Sequence, residues 1–262
     1  MNELTLDPKK KYLFAFAHPD DDVGIAGTMR LLVRRVAEVH CVWATSGDFF
    51  GQGQTREAET YRAMDLLGIS RSNVHLLRFP DLSLVSRLEE AVDLMADLLK
   101  ILKPDVIVAD AYEGGHPDHD SVNVMVLEGS IRAGLNPELF EFPLYNGSGS
   151  FLKLGWRLNS FPPGGIPPFH TVLDEDAIQC KYGMMRAYSS QWMYMVPARL
   201  ACPRWRLANT GEPYRAFSKD RDYTQPPHKG TLGYERRFNS FMNIKFRDFR
   251  NAVMKVMEHR NS

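Results

Sequence analysis

Two short segments of this sequence concentrate the residue types that bind metals and transfer protons. The first, residues 17–22, reads AHPDDD, and the second, residues 116–120, reads HPDHD. Imidazole nitrogens and carboxylate oxygens bind zinc, and a catalytic zinc keeps three protein ligands and leaves a fourth position open for water. The composition of the two segments therefore indicates a divalent metal site, provided that the fold brings them together.

Three of these side chains, His18, Asp21 and His119, could supply such a ligand set. That choice would leave Asp20 and His116 close to the metal without a ligand role. A lone histidine is more often a packing or surface residue than a ligand, and an aspartate at the start of a helix often only caps it. The recurrence of His-Pro-Asp in two places favours the metal site over coincidence.

Each of the two segments follows a run that is typical of a buried β-strand. Residues 11–17 (KYLFAFA) precede the first segment and residues 105–112 (DVIVADAY) lead into the second. Three further apolar runs, VHCVWATSG, VHLLRFPD and LFEFPLY, alternate with runs of helical spacing. This alternation predicts an α/β fold, a Rossmann-like parallel sheet with helices on both faces. Ligands of such sheets bind beyond the carboxyl ends of the strands, where both segments are expected.

The predicted helices of the first half cover four stretches, at residues 23–37, 55–69, 86–102 and 118–132. After about residue 146 the alternation stops. Proline- and glycine-rich turns follow, interrupted by two further runs of helical spacing at residues 174–188 and 240–258.

We predict a single domain over residues 1–262. Its Rossmann-like core spans residues 1–145, and a turn-rich C-terminal elaboration over residues 146–262 shapes the pocket. Within the elaboration, residues 212–217 (EPYRAF) and 223–235 (YTQPPHKGTLGYE) are interpreted as a pocket edge or a subunit contact, with ordinary surface turns as the alternative.

Composition restricts the class of partner. The chain has 262 residues, 44% of them hydrophobic, and its 32 Lys and Arg residues balance its 32 Asp and Glu residues. Such a balance argues against nucleic acid and anionic membranes and favours a small molecule, while homo-oligomerisation stays open. No apolar run reaches the length of a membrane span, and the N-terminus lacks the apolar centre of a signal peptide, so a cytoplasmic protein is predicted. The three cysteines lack CxxC spacing and predict neither a disulfide framework nor a thiolate zinc site.

A strand followed by AHPDDD, with a later HPDH after another strand, resembles the LmbE-like or PIG-L family of metal-dependent N-deacetylases. The resemblance implies that His18, Asp21 and His119 bind zinc. It also implies that Asp20 is the general base, and that His116 stabilises the transition state or protonates the leaving amine.

The resemblance is close over residues 12–145 and loose over residues 181–191. It departs from the family pattern at two positions: Asp22 replaces the usual glutamate, and Tyr188 stands where many relatives have a histidine. We therefore expect the outer part of the pocket to differ from that of the relatives.

Three further residues have predicted supporting roles. The resemblance singles out Arg56, which we expect to bind a hydroxyl or an anionic group of the substrate, unless it forms an exposed salt bridge with Glu57 or Glu59. Asp118 and Asp120 are expected to orient imidazole rings from the second coordination sphere, with helix capping as the alternative.

The activity implied by the resemblance is removal of an N-acetyl group from an amino sugar of the N-acetylglucosamine type. Zn²⁺ is the implied metal, with another divalent ion such as Fe²⁺ as an alternative. An amidase of the same architecture that cleaves a larger acyl group from an amino sugar is the alternative function.

Three other functions fit the sequence less well. His116, Asp118 and the later His170 satisfy the spacing of a non-haem iron oxygenase, but alternating helices and strands do not match the all-β scaffold expected of one. No GxGxxG follows the first strand, which disfavours a dinucleotide-binding protein. A non-catalytic sugar-binding protein would have no need for all five of the implied site residues.

Overall fold

The computed structural model describes residues 3–151, 156–217, 219–236 and 242–259. Its first half builds five parallel strands in the order β3-β2-β1-β4-β5. The strands are β1 (Lys11–Phe16), β2 (Glu38–Thr45), β3 (Val74–Phe79), β4 (Val106–Asp110) and β5 (Glu138–Phe142). The predicted α/β fold with a Rossmann-like sheet is thereby confirmed, because all five apolar runs form strands of one sheet.

Helices connect consecutive strands and cover both faces of the sheet. They are α1 (Ala26–Arg34), α2 (Gly53–Leu67), α3 (Leu88–Leu102) and α4 (Pro117–Arg132). A 3-10 helix, Asp21–Ile25, precedes α1, so the α-helix predicted over residues 23–37 starts later and ends earlier than expected.

The alternation of side chains along each strand divides the core into two layers. In β1, Phe14 and Phe16 pack with α1 and α2 on one face. Leu13 and Ala15 pack with α3 and α4 on the other face. A strand that is buried on both faces has no polar side, which is why these strands appear in the sequence as continuous apolar runs.

The second half extends the same sheet. Its elements are β6 (Tyr145–Phe151), β7 (Trp156–Leu158), β8 (Phe169–Thr171), α5 (Glu175–Ala187), α6 (Trp192–Ala201), α7 (Arg204–Asn209), β9 (Glu212–Ala216) and α8 (Phe246–Glu258). Strands β9 and β8 add to the sheet beyond β5 in antiparallel orientation, and β6 and β7 form a separate two-stranded sheet. The sheet is therefore mostly parallel, with an antiparallel edge contributed by the second half.

The surface-turn alternative for residues 212–217 is wrong, whereas their interpretation as a pocket edge or a subunit contact stays a prediction. Residues Glu212–Ala216 are β9, and Glu212 is fully buried. The two charged side chains of β9 are compatible with burial because each has a partner of opposite charge. Glu212 pairs with Lys181, and Arg215 pairs with Glu141.

The helices predicted over residues 174–188 and 240–258 correspond to α5 and α8, although residues 240 and 241 lie outside the described residues. All three cysteines are free thiols. Within the described ranges, no helix has both the length and the apolar character needed to cross a bilayer. The division into a core at residues 1–145 and an elaboration at residues 146–262 stays a prediction.

Candidate metal centre

The carboxyl ends of β1 and β4 bring the two His-Pro-Asp segments together. The strands are parallel neighbours in which Ala15 pairs with Ala109, so both end at the same edge of the sheet. His18 lies two residues beyond β1, and His119 lies in the first turn of α4. Asp21 begins the 3-10 helix that follows His18.

Three atoms from these segments form a nearly equilateral triangle. His18 Nδ1 lies 3.2 Å from Asp21 Oδ2 and 3.3 Å from His119 Nε2, and the latter two atoms are 3.3 Å apart. Ligand atoms around a tetrahedral zinc, with bonds of about 2.0–2.1 Å, lie roughly 3.3 Å from one another. All three side chains are almost completely buried. The structure therefore brings together the three predicted ligands at the spacing that a divalent ion requires.

Asp118 fixes the orientation of His18 from the opposite side of its ring. Its Oδ2 lies 3.3 Å from His18 Nε2, and its carboxylate accepts the backbone N–H groups of Leu82 and Leu84 at 2.7 and 3.3 Å. Burial acts to lower the pKa of His18, but hydrogen bonds to Asp118 and Asp21 raise it well above its usual value. These carboxylates create a field that favours positive charge at the triangle. The contact agrees with the predicted orienting role of Asp118.

Asp120 has a different role from the one predicted. Its Oδ1 accepts the backbone N–H groups of Glu113 and Gly114 at 3.1 and 3.0 Å, and no imidazole is among its hydrogen-bond partners in the described part of the chain. Burial raises the pKa of Asp120 to about 8. Asp120 thus fixes the loop that leads into His116, which is the capping alternative.

His116 is the N-cap of α4, with Pro117 at the first helical position. Its Nδ1 accepts the backbone N–H of Asp118 at 3.2 Å, so the neutral ring carries its proton on Nε2. Burial lowers the pKa of His116 well below its usual value, and the neighbouring His18 and His119 lower it further. One nitrogen from each of the three imidazoles lies within 4.8 Å of the others, which places His116 next to the triangle.

Asp20 is held by Arg56. The Nη2 of Arg56 donates to Asp20 Oδ1 at 2.6 Å and to the carbonyl oxygen of Pro19, and Nη1 donates to that of Gly47 at 3.2 Å. Asp20 has a φ of 102°, in the left-handed region that non-glycine residues rarely adopt. The contacts with Arg56 and Asp22 accompany this unusual conformation.

The environment of Asp20 also sets its proton affinity. Burial raises the pKa of Asp20 to about 7, with Arg56 acting to lower it and Asp21 acting to raise it. A cation in the triangle would act in the same direction as Arg56. A carboxyl group whose pKa lies near neutrality is suited to accept a proton during a reaction.

Neither interpretation of Arg56 made from the sequence agrees with these contacts. Its side chain is 9% exposed and its guanidinium group is shared among three acceptors, so little of it is open to a substrate group. It forms no exposed salt bridge either, because Glu57 pairs with Arg78 and Glu59 accepts hydrogen bonds from the 3-10 helix Ser189–Gln191. The sequence motif gave no indication that two acceptors of Arg56 are the backbone oxygens of Pro19 and Gly47.

Asp22 and Tyr188, the two residues that depart from the family pattern, contact each other. The Tyr188 hydroxyl donates to Asp22 Oδ2 at 3.0 Å, and both side chains are fully buried beneath the ligand-bearing loop. Burial raises the pKa of Asp22 to about 8. The expectation that these positions alter the outer pocket is therefore wrong, because their pair belongs to the packing behind the ligands.

Two residues near the centre, Asp110 and Tyr145, were missed, whereas a third, Lys181, belongs to the loosely matching residues 181–191. Asp110 ends β4, and it joins Asp21 and His119 in a group whose ligand atoms lie within 4.8 Å of one another. The ring of Tyr145 lies 5.2 Å from that of His119. Lys181, deep behind the site, donates to Gly24 O at 3.0 Å. The position of Asp110 at the carboxyl end of a strand was the one signal available in the sequence.

The oxygenase arrangement is not formed. His170 lies on β8, the edge strand of the sheet, and is exposed, whereas His116 and Asp118 are buried at the ends of the central strands. The three residues therefore do not share a site.

Comparisons with known proteins agree with this architecture. The sequence model of the PIG-L family, described as GlcNAc-PI de-N-acetylase, matches residues 13–129, a range that includes both His-Pro-Asp segments. An N,N'-diacetylchitobiose deacetylase from Pyrococcus horikoshii superposes with a TM-score of 0.58 at 19% identity, covering 81% of this chain and 88% of its own.

Two other similar structures have different described activities. The zinc-inhibited form of teicoplanin deacetylase Orf2 gives a TM-score of 0.59 at 15% identity, over 80% of this chain and 100% of its own. GalB, the 4-carboxy-2-hydroxymuconate hydratase from Pseudomonas putida KT2440, gives 0.53 at 16% identity, over 73% and 85%. At such identities the likeness shows a shared fold, which can carry more than one chemistry. The family match is independent of them, and it confirms the resemblance carried by the two motifs, because the PIG-L family model matches residues 13–129, which contain both.

Proposed function

We propose that this protein is a metal-dependent hydrolase that removes an N-acetyl group from an amino sugar. The observation that carries the proposal is the triangle of His18 Nδ1, Asp21 Oδ2 and His119 Nε2, with the carboxyl group of Asp20 adjacent to it in the chain. A three-ligand site beside a carboxylate base is what hydrolysis of an unreactive amide needs. The PIG-L family match and the deacetylases of the same fold support amide hydrolysis over other reactions.

The proposed metal is Zn²⁺, or another divalent ion such as Fe²⁺, held by the three triangle atoms. When bound, such an ion lowers the pKa of a coordinated water and polarises the amide oxygen. His18 and His119 contribute neutral imidazole ligands, and Asp21 contributes the negative charge. Asp118 holds the His18 ring in the orientation that directs Nδ1 towards the other two ligand atoms.

Asp20 is proposed as the general base. Its carboxylate accepts the proton that the attacking water loses, while the hydrogen bond from Arg56 keeps the group in place. A base that is fixed by a buried guanidinium group does not have to be reoriented during the reaction, which lowers the entropic cost of reaching the transition state.

His116 is proposed to act on the other side of the scissile bond. Because its Nδ1 accepts the N–H of Asp118, the neutral ring has a donor on Nε2 that can hydrogen-bond to the developing oxyanion. The proton taken up by Asp20 balances the one that the leaving nitrogen must receive. Once protonated, Asp20 is suited to deliver it, while the neutral His116 next to the triangle stays a hydrogen-bond donor to the oxyanion.

An assay on a panel of amides tests the proposal. The protein would be freed of metal, reloaded with one equivalent of Zn²⁺, and incubated with N-acetylglucosamine compounds that carry different aglycones. Acetate release that stops on chelation and returns with metal is the expected result. Cleavage of bulkier N-acyl amino sugars alone would favour the larger-acyl amidase. If no amide were cleaved, both the deacetylase and the larger-acyl amidase would be rejected.

The hydratase of the same fold provides a second arm for the assay. Water addition to an unsaturated carboxylate would be followed on the same metal-loaded sample by loss of ultraviolet absorbance. We expect no turnover there, because the predicted base and ligand set match the deacetylase motifs. Turnover in this arm alone would replace deacetylation by hydration.

A further inference from the structure

A fourth carboxylate, that of Asp110, lies beside the triangle. Asp110 is the last residue of β4 and is completely buried. One of its oxygens lies within 4.8 Å of ligand atoms of both Asp21 and His119. It is neither one of the three triangle ligands nor part of the two His-Pro-Asp motifs.

The two oxygens of Asp110 are used unequally. Oδ2 accepts the backbone N–H of Ala17 at 2.7 Å, which ties the end of β1 to the end of β4 directly before His18. Oδ1 is buried and has no hydrogen-bond partner among the described residues. A buried carboxylate oxygen without a partner is costly, so its retention calls for a ligand or a proton donor that completes it.

His119 also has a buried side-chain atom without a hydrogen-bond partner in the described part of the chain, in this case a ring nitrogen that could be the donor. Its Nε2 is the triangle atom, whereas its Nδ1 is buried and also has no partner within the described ranges. If Nε2 uses its lone pair on a metal, the ring proton must be on Nδ1, where it needs an acceptor. Metal-binding histidines almost always donate that proton to a carboxylate or a carbonyl group. His18 has such a contact, with Asp118 on its far nitrogen.

The balance of charges points in the same direction. The guanidinium group of Arg56 pairs with Asp20. Asp21 and Asp118 face the imidazoles of His18 and His119, whereas Asp110 has no ion pair with any lysine, arginine or histidine in the part of the chain that the structure describes. Buried carboxylates without a counter-charge are expensive unless a cation joins them, and a divalent ion meets this requirement.

We propose that Asp110 is a positioning residue of the metal centre. Its Oδ1 accepts the Nδ1 proton of His119 when the ion is bound, while its Oδ2 keeps the end of β1 in place. The carboxylate also adds negative charge next to Asp21 and so raises the affinity for a divalent cation. This inference rests on the proposed metal centre but is independent of the substrate.

The test compares two aspartates at opposite ends of β4. Asp110→Asn keeps the size and the acceptor for Ala17 N–H but removes the charge. Asp105→Asn is the matched control, because the exposed Asp105 carboxylate accepts the N–H of Lys11 at 2.8 Å at the other end of the same strand pair. Titration of the metal-free proteins with Co²⁺, followed by its visible absorption bands and by chelator competition, gives the affinities. We expect Asp110→Asn to lose about 10- to 100-fold in affinity. Asp105→Asn should match the wild type.

Thermal unfolding with and without metal separates this role from a merely structural one. The metal-free Asp110→Asn variant should melt no lower than the metal-free wild type, because asparagine keeps the size of the side chain and the acceptor for the Ala17 N–H. The increase in Tm on adding metal should be smaller in the variant. Wild-type affinity in Asp110→Asn would overturn the proposal, and so would a loss of affinity that is accompanied by a fall in the metal-free Tm.

A measurement on the wild type keeps the inference testable if the variant does not fold. In the protein loaded with Zn²⁺, NMR with ¹⁵N-labelled histidine should place the His119 proton on Nδ1 and show that it exchanges slowly with water. A proton on Nε2, or rapid exchange, would contradict the proposed hydrogen bond. Failure of the wild type to bind any divalent ion would overturn both this inference and the proposed function, whereas failure to cleave N-acetyl sugars would overturn only the latter.

Discussion

The two His-Pro-Asp segments share three letters but form different local structures. After β1 the chain passes through Asp20, with its left-handed backbone, into a 3-10 helix. After β4, Pro117 starts α4 directly, with His116 as the N-cap. The first segment supplies the carboxylates of the ligand Asp21 and of the proposed base Asp20, and the second supplies two of the three imidazoles.

The segments also differ in what holds them. The first is supported by residues distant in the sequence: Arg56 of α2 bonds to Asp20, and Lys181 of α5 bonds to Gly24 O and to Glu212 of β9. In the second, Asp120 accepts N–H groups six and seven residues upstream and the N-cap contact spans two residues. Its distant contacts are those of Asp118 with the backbone of Leu82 and Leu84 and with His18. A short motif can thus be identified from its amino-acid sequence, whereas supporting contacts with residues distant in the sequence cannot.

The comparison is tested most strongly within the second segment, where two histidines have different proposed roles. His119→Ala removes a triangle atom and should lose most of the bound metal. His116→Ala should keep the metal and lose activity, since its ring is outside the triangle. Metal content per purified chain, measured by atomic emission, checks this difference. Equal metal content in the two variants would defeat the assignment.

The first segment is tested by a substitution that preserves shape. Asp20→Asn cannot accept a proton, so kcat should fall by at least about 10²-fold, the scale of general base catalysis, with metal stoichiometry little changed. Steady-state kinetics at saturating substrate measures the effect. Asp48→Asn, which replaces the exposed aspartate that accepts the N–H of Gly53, is the control. A kcat near that of the wild type in Asp20→Asn would remove this residue from the role of base.

The remote support of the first segment should have a large effect on folding stability. Lys181→Met keeps the length of the side chain but leaves the carboxylate of Glu212 buried without its cation, and loss of one member of a buried pair costs about 3–5 kcal/mol. Glu212 continues to accept the N–H groups of Gly27 and Thr28, which offsets part of this loss. Denaturant unfolding would measure the difference.

A surface pair provides the control for this stability measurement. Lys100 pairs with Asp97 on α3, and more than half of each side chain is exposed, so Lys100→Met should cost no more than about 0.5 kcal/mol. If the two lysine variants had the same free energy of unfolding, Lys181 would not be a significant support of the first segment.

The sequence predicted the elements whose residues are uniformly apolar and missed those that depend on distant partners. Strands such as KYLFAF and VIVAD are buried on both faces, so their apolar runs predicted the sheet and the edge where the motifs meet. Strand β9 was missed because it contains Glu212 and Arg215, whose partners are 31 and 74 residues away. Helix α6 was missed as well, since it has Pro197 in its interior and a largely exposed surface.

In the candidate site, the motif letters were sufficient to select the three triangle residues, which the structure brings together. They were not sufficient for the residues that act from outside the motifs. Arg56 was assigned to the substrate because its letters matched a family pattern, but two of its three acceptors are the backbone oxygens of Pro19 and Gly47. Acceptors of that kind depend on the path of the chain, which no spacing of side chains reveals.

The smallest expected effect concerns the influence of Arg56 on the position and the pKa of Asp20. Arg56→Lys retains a positive charge, but an ammonium group lacks the planar fork that serves three acceptors, so kcat should fall by about tenfold. The pH profile should change as well. Burial raises the pKa of Asp20 to about 7, and the Arg56 guanidinium acts to lower it, so a weaker contact lets this pKa rise.

The direction of the shift follows from the protonation state that a base needs. Asp20 is active when deprotonated, so kcat/KM rises with pH through its pKa, and a higher pKa moves this acidic limb to higher pH. Profiles of the wild type and Arg56→Lys, recorded with the same metal loading, measure the displacement. Arg78→Lys is the matched control, because its exposed pair with Glu57 does not involve Asp20, and its profile should overlay that of the wild type. A limb that stays in place in Arg56→Lys, or moves to lower pH, would show that Arg56 does not adjust the proton affinity of Asp20. The support of the first segment would then be purely steric.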